Sequence, residues 1–150
     1  MIRFVLVTMM LAACAPVQES PGVASTSADR VWTLQTLRGD KLTTNVVTLK
    51  LNPDRSISGT AACNSTSSAK LRWLGEPGAT HGVFDRLGQG AGISTTALCR
   101  DRDAVAIAVR FWDSMETARA WFIDGRNLVI EFADGSQANL VLRAFCGCRP

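Results

Sequence analysis

From residue 31 to residue 60 apolar side chains recur at every second position. Val31 to Leu37 sets Trp32 and Leu34 against Val31, Thr33 and Gln35, and Val46 to Leu51 sets Val47, Leu49 and Leu51 against Val46, Thr48 and Lys50. A period of two predicts half-buried strands. Gly39-Asp40 supplies a turn after the first, and Asn52-Pro53-Asp54, with Pro at its second position, turns the chain into a hairpin partner over Arg55 to Thr60. Ala69 to Leu74 continues as a strand with Leu71 and Trp73 on one face. Gly75 to Gly82, which contains Pro77 and His81, reads as a loop, Val83 to Leu87 as a short strand, and Gly88 to Gly92 as a break.

The period lengthens after Cys99. Asp101 or Asp103 caps a helix in which Val105, Ala108, Val109, Trp112 and Met115 share a face, widened by Ile107 and Phe111. Ala118 to Ile123, Asn127 to Phe132 and Gln137 to Arg143 then read as three antiparallel strands joined by Asp124-Gly125 and Asp134-Gly135 turns. A single helix has only the sheet to bury that face against. The expected fold is therefore α+β: one small domain, a mostly antiparallel β-sheet with one α-helix packed across it.

The N-terminus follows neither period. Met1-Ile2-Arg3 carries one positive charge, Phe4 to Leu11 is apolar apart from Thr8, and Leu11-Ala12-Ala13-Cys14 follows at once. Residues 1–13 read as a signal peptide, too short to remain as a spanning helix. Leu-Ala-Ala-Cys resembles the bacterial lipobox, which makes Cys14 the lipidated first residue of the mature chain; the alternative is ordinary Ala-x-Ala cleavage with Cys14 incidental. Acyl chains contribute about 0.8 kcal/mol per buried methylene, so several on one residue hold a protein permanently at a membrane. Ala15, where enterobacterial inner-membrane lipoproteins carry Asp, points to the outer membrane, facing the periplasm. Residues 14–29, rich in Pro, Gly, Ser, Thr and Ala, read as an acylated flexible tether. Residues 30–145 then form the domain and residues 146–150 a Cys-rich tail.

Composition narrows the function classes. A chain of 150 residues, less signal and tether, has room for one core. The formal charge is +3, and the basic residues are interleaved with acidic ones, as in Asp101-Arg102-Asp103. That pattern is a solvated surface and gives no reason to expect nucleic acid as a partner. Five cysteines in an exported chain, one assigned to lipid, leave four for an oxidising compartment, with three possible pairings. A four-thiolate zinc site is the other use for them, although the paired Cys-x-x-Cys spacing of such sites is missing.

The segment Ile57-Ser58-Gly59-Thr60-Ala61-Ala62-Cys63-Asn64 changes halfway from strand-like alternation to small residues. Gly59 lets another backbone come close, Ala61 and Ala62 leave it unobstructed, and Asn64 tolerates the left-handed conformation that ends such a bend. Ile93-Ser94-Thr95-Thr96-Ala97-Leu98-Cys99 carries the second cysteine to the start of the helix. Gly-x-Ala-x-Cys-Asn followed by Thr-Thr-x-x-Cys ahead of a helix resembles the META domain, in its HslJ-like bacterial form. The resemblance runs from Val31-Trp32-Thr33-Leu34 to Asn139-Leu140-Val141-Leu142-Arg143. The matching motif residues are Trp32, Gly59, Cys63, Asn64, Thr95 and Cys99. The departures are the C-terminal Cys146-Gly147-Cys148 and a longer Gly-rich insert before Thr95. The resemblance favours a Cys63–Cys99 disulfide, leaving Cys146 and Cys148 as a possible second, strained pair. It implies no established enzymatic activity, and it implies links to heat shock, to tolerance of the hydrophobic antibiotic novobiocin and, in some members, to motility or virulence.

Other chemistry has little to stand on. His81, the sole histidine, has no nucleophile or carboxylate pattern beside it and reads as a solvated loop residue. Gly88, Gly90 and Gly92 lack the strand-to-helix context of a phosphate loop. Asp85 with Asp101, Asp103 or Asp113 would make a carboxylate pair only if the fold brought them together. Asn64-Ser65-Thr66 matches a glycosylation sequon but reads as a turn in a bacterial chain. Trp32, Trp73, Trp112 and Trp121 read as core, or as the lining of an apolar groove for a lipid, an acylated partner or a peptide. No catalytic residue, metal ligand or cofactor site is assigned. The expected function is that of a non-enzymatic envelope lipoprotein, a binding or structural module tied to stress or antibiotic tolerance. Its partners are the membrane, through Cys14, and an unknown protein or small hydrophobic ligand. The alternative is a small thiol-redox or hydrolytic protein using Cys146-Gly147-Cys148.

Overall fold

Alternating apolar side chains become strands because a pleated backbone sends them all to one face. The computed structural model describes residues 30–76, 78–88 and 92–143. The predicted signal peptide, Cys14 with its tether, and the tail carrying Cys146 and Cys148 lie outside the described residues. In chain order the elements are β1 (Val31–Leu37), β2 (Asp40–Lys41), β3 (Val47–Leu51), β4 (Ile57–Ala61), β5 (Asn64–Ser68), β6 (Leu71–Leu74), β7 (His81–Arg86) and β8 (Ile93–Ser94). They are followed by α1 (Arg102–Met115), β9 (Ala118–Asp124), β10 (Asn127–Phe132) and β11 (Gln137–Leu142). All pairings are antiparallel, in the order β6-β7-β9-β10-β11-β1-β3-β4-β5-β8, with β2 on the flank of β1.

The sheet curls into a half-barrel around the helix. Its β6 end comes back to the β3–β4 turn, where the Trp73 backbone N–H donates to Arg55 O at 3.1 Å and Trp73 Nε1 donates to Asn52 O at 2.8 Å. Trp32, Leu34 and Leu37 from β1, Val47, Leu49 and Leu51 from β3, and Leu128, Ile130 and Phe132 from β10 fill the concave side. Trp73 and Trp121 meet edge to face with ring centres 5.7 Å apart. Trp121 fits because β7 has a glycine opposite it: a Cβ on Gly82 would lie 2.7 Å from the indole and 1.9 Å from Leu74 O.

Asp101 caps α1, its carboxylate accepting from Ala104 N at 3.0 Å. The helix buries Ala104, Ala108, Phe111, Ser114 and Met115. This corrects the expected face by about one position, since Val105 and Val109 are 37% and 53% exposed. Small alanines let the helix sit close over β3 and β4, and Phe111 and Met115 supply the bulk.

Two further expectations are corrected. The chain does not stay in a turn after Cys63. Asn64 opens β5, and five cross-strand pairs from Ile57↔Ser68 to Ala61↔Asn64 make a hairpin with β4. The left-handed residue is Ala62, at φ 56°, rather than Asn64. His81, expected in a loop, is the first residue of a six-residue strand and pairs with Phe122.

Candidate functional site

The small residues of the β4–β5 bend set its geometry. A Cβ on Gly59 would fall 1.9 Å from Thr48 O on β3, so only glycine lets β3 and β4 pack as they do here. Thr48 and Thr60 flank that point and bond through their hydroxyls at 3.0 Å. The hairpin thus reaches the two-residue turn Ala62-Cys63 with no bulk on its inner side.

Cys63, at the turn, is bonded to Cys99, with Cα atoms 5.6 Å apart. Asn64 does the rest of the fastening. Its side-chain amide bonds Ala97 as a strand would, accepting from Ala97 N at 2.8 Å and donating to Ala97 O at 3.1 Å. Thr95 Oγ1 donates to Asn64 Oδ1 at 2.9 Å and accepts from Ser65 N at 3.0 Å. Four of the motif residues named from sequence, Cys63, Asn64, Thr95 and Cys99, therefore form one clasp that ties the β4–β5 hairpin to the segment entering α1. Gly59 lies further along the same hairpin. Trp32 lies apart, fully buried in the core, and its Nε1 has no hydrogen-bond partner among the described residues.

The two sulfurs joined in the clasp are not thiolates, which takes Cys63 and Cys99 out of any four-thiolate zinc set. Asp85 is on β7, Asp101 caps the helix, and Asp103 and Asp113 stand on its first and last turns; among the described residues no hydrogen bond joins them. Of the four tryptophans, Trp32, Trp73 and Trp121 are buried in the core, and only Trp112 is half-exposed. Trp112 Nε1 donates to Thr60 O at 3.3 Å, which holds the indole against β4 beside the clasp, and its ring meets Phe111 edge to face.

Between β5 and the last turn of α1 lies a half-open cleft of about 160 Å³. Leu71 and Met115, both buried, line its apolar part, and Trp112 lines one side. Thr66 and Ser68, on one face of β5 by strand alternation, contribute hydroxyls. At the mouth Lys70 Nζ pairs with Glu116 Oε1 at 2.8 Å, and that hydrogen bond and charge hold the Glu116 carboxyl below its ordinary range. Asp113, also at the mouth, has no side-chain partner among the described residues. Nothing in the hydrophobic period announces this cleft, because β5 has no apolar side chain.

A second polar cluster fixes the other side of the helix end. Arg38 pairs with Asp134, donates from Nε to Ser114 Oγ at 3.3 Å, and stacks over Phe132 with its guanidinium carbon 5.4 Å from the ring centre. The Ser136 hydroxyl and backbone N–H, then Arg38, lower the Asp134 pKa to about 2.

This arrangement, a strongly curved antiparallel sheet holding one helix with a cysteine clasp between them, is that of a small non-repeating α+β domain. The META domain family model matches residues 25–144, and the chain belongs to that family. No curated protein matches it. Two NMR structures share the fold. One, of a protein from Burkholderia xenovorans, is 15% identical, covers 93% of this chain and 99% of its own, and has a TM-score of 0.55. The other is also 15% identical, covers 77% of this chain and 90% of its own, and has a TM-score of 0.52.

Proposed function

We propose that this META domain is a non-enzymatic module of the bacterial envelope, lipid-anchored through Cys14 to the outer membrane, and that it serves stress or antibiotic tolerance by binding a partner or small ligand. The observation that carries the reading is the Cys63–Cys99 disulfide on the family's own motif residues. Disulfides persist in oxidising compartments, which agrees with an exported chain whose Leu11-Ala12-Ala13-Cys14 resembles a lipobox. His81 starts β7 opposite Phe122, at the far end of the strand order from the clasp.

Cys14→Ala should release the protein from the membrane fraction or leave it unprocessed. Quantitative recovery of correctly cleaved variant with outer membrane would contradict the anchor. A strain lacking the protein should be more sensitive to novobiocin or heat, and both the wild type and His81→Ala should restore it. Failure of His81→Ala at unchanged thermal stability would reopen an enzymatic role.

A further inference from the structure

We propose that the cleft between β5 and the end of α1 is a binding site for one sugar ring, and this assignment names the ligand class for the binding role proposed above. The volume sets the first limit. About 160 Å³ is well below the roughly 300 Å³ at which drug-sized pockets begin, and corresponds to about five waters. That volume is on the scale of a single small ring.

The lining selects among small ligands. Leu71, Met115 and Trp112 offer an apolar surface, yet hydroxyls and charges stand within the same few ångströms of wall. A fatty chain would use only the apolar wall and leave the hydroxyls and the Asp113 carboxylate without a contact. A small anion meets two carboxylates, and the only lysine of the lining is already paired with one of them. A sugar ring matches both halves, because it has an apolar C–H face for the indole and hydroxyls around its rim. The Asp113 carboxylate, unpartnered among the described residues, is positioned to accept from such hydroxyls. Ser68 Oγ already accepts from Lys70 N at 3.3 Å and keeps its proton free to donate. The ring wall is also pre-set: Trp112 is held by Thr60 O on one side and Phe111 on the other, so binding need not order it.

The test is a titration of the oxidised full chain with glucose, N-acetylglucosamine and chitobiose, followed through the Trp112 indole N–H resonance. Spermidine and sodium laurate serve as the cationic and acyl comparisons. A saturable shift with at least one of the sugars in the millimolar range is expected, weakened threefold or more by Asp113→Asn. That variant touches an exposed side chain and should leave the melting temperature unchanged. Trp112→Phe, followed through the backbone amide resonances of the lining residues Ser68 and Glu116, should lose the saturable response while the Trp121 indole resonance stays in place. The proposal is overturned by the absence of a saturable shift with all three sugars, by a response to spermidine or laurate alone, or by full sugar affinity in Asp113→Asn. Chitobiose that binds and is cleaved would support the site while overturning the non-enzymatic reading, so the two ideas fail separately.

Discussion

The two ends of the sheet are held by different means. From β6 through β7, β9, β10, β11 and β1 to β3, apolar side chains such as Trp73, Phe84, Trp121, Ile130, Leu140, Trp32 and Leu49 are buried. Each such residue contributes about 1.5–3 kcal/mol by leaving water. At the other end β5 reads Asn-Ser-Thr-Ser-Ser, and its neighbour β8 is two residues long with Ile93 76% exposed. Burial has little to offer there. The clasp of Cys63, Cys99, Asn64 and Thr95 stands in its place, one covalent bond and a set of hydrogen bonds each worth about 1 kcal/mol net. A strand without apolar side chains holds its place in this sheet because its turn is bonded to the segment that enters the helix.

The largest effect should come from cutting the covalent part. Cys63 and Cys99 are 36 positions apart, and closing a loop of that length contributes about 4 kcal/mol in the chain-entropy model. Reduction, or Cys99→Ser, should lower the melting temperature by on the order of 20 °C for a domain of this size. A shift of only a few degrees would mean that the polar contacts hold the hairpin unaided.

Asn64→Ala is the next step down. It removes the two bonds to Ala97 and leaves Thr95 Oγ1 without its acceptor, at a cost of about 1–3 kcal/mol. Denaturant melts should show the lower midpoint in oxidised protein and a smaller added loss once the disulfide is reduced, because the two act on the same segment. Full additivity would separate Asn64 from the clasp.

The smallest effect belongs to the Arg38–Asp134 cluster. Asp134 has its pKa lowered from 3.8 to about 2 by Ser136 and Arg38, so its contribution is present above the ordinary carboxylate range and is lost as pH falls through that window. Asp134→Asn should flatten that part of the acid limb of a stability titration and change little at neutral pH, the group being exposed to solvent. An unchanged acid limb would remove Asp134 from the account.

Which parts were legible in the sequence follows the same division. The strands of the apolar end show period two with bounds close to those observed, as in Val31 to Leu37 and Asn127 to Phe132. β5 was invisible because serine and threonine carry no alternation, and its strand state comes from β4 and the clasp. His81 was placed in a loop because Gly75, Pro77 and Gly82 punctuate the segment, yet Gly82 is there to admit the Trp121 ring within a strand. The helix was legible, but its face was not. Val105 and Val109 are more apolar than Ala104, while the sheet selects the smaller residue for close packing. Asn64 belonged to a recognisable motif, although its role as a stand-in for a strand's backbone depends on Ala97, 33 positions away.

Native-state amide exchange on oxidised and reduced protein tests the division most directly. Reduction should strip protection from the amides of Ser65, Thr66 and Thr95, at β5 and the segment that follows β8. The amides of β10 and β11 should retain most of theirs. Equal loss of protection along the whole sheet, or none at β5, would contradict the claim that the clasp holds one end and burial the other.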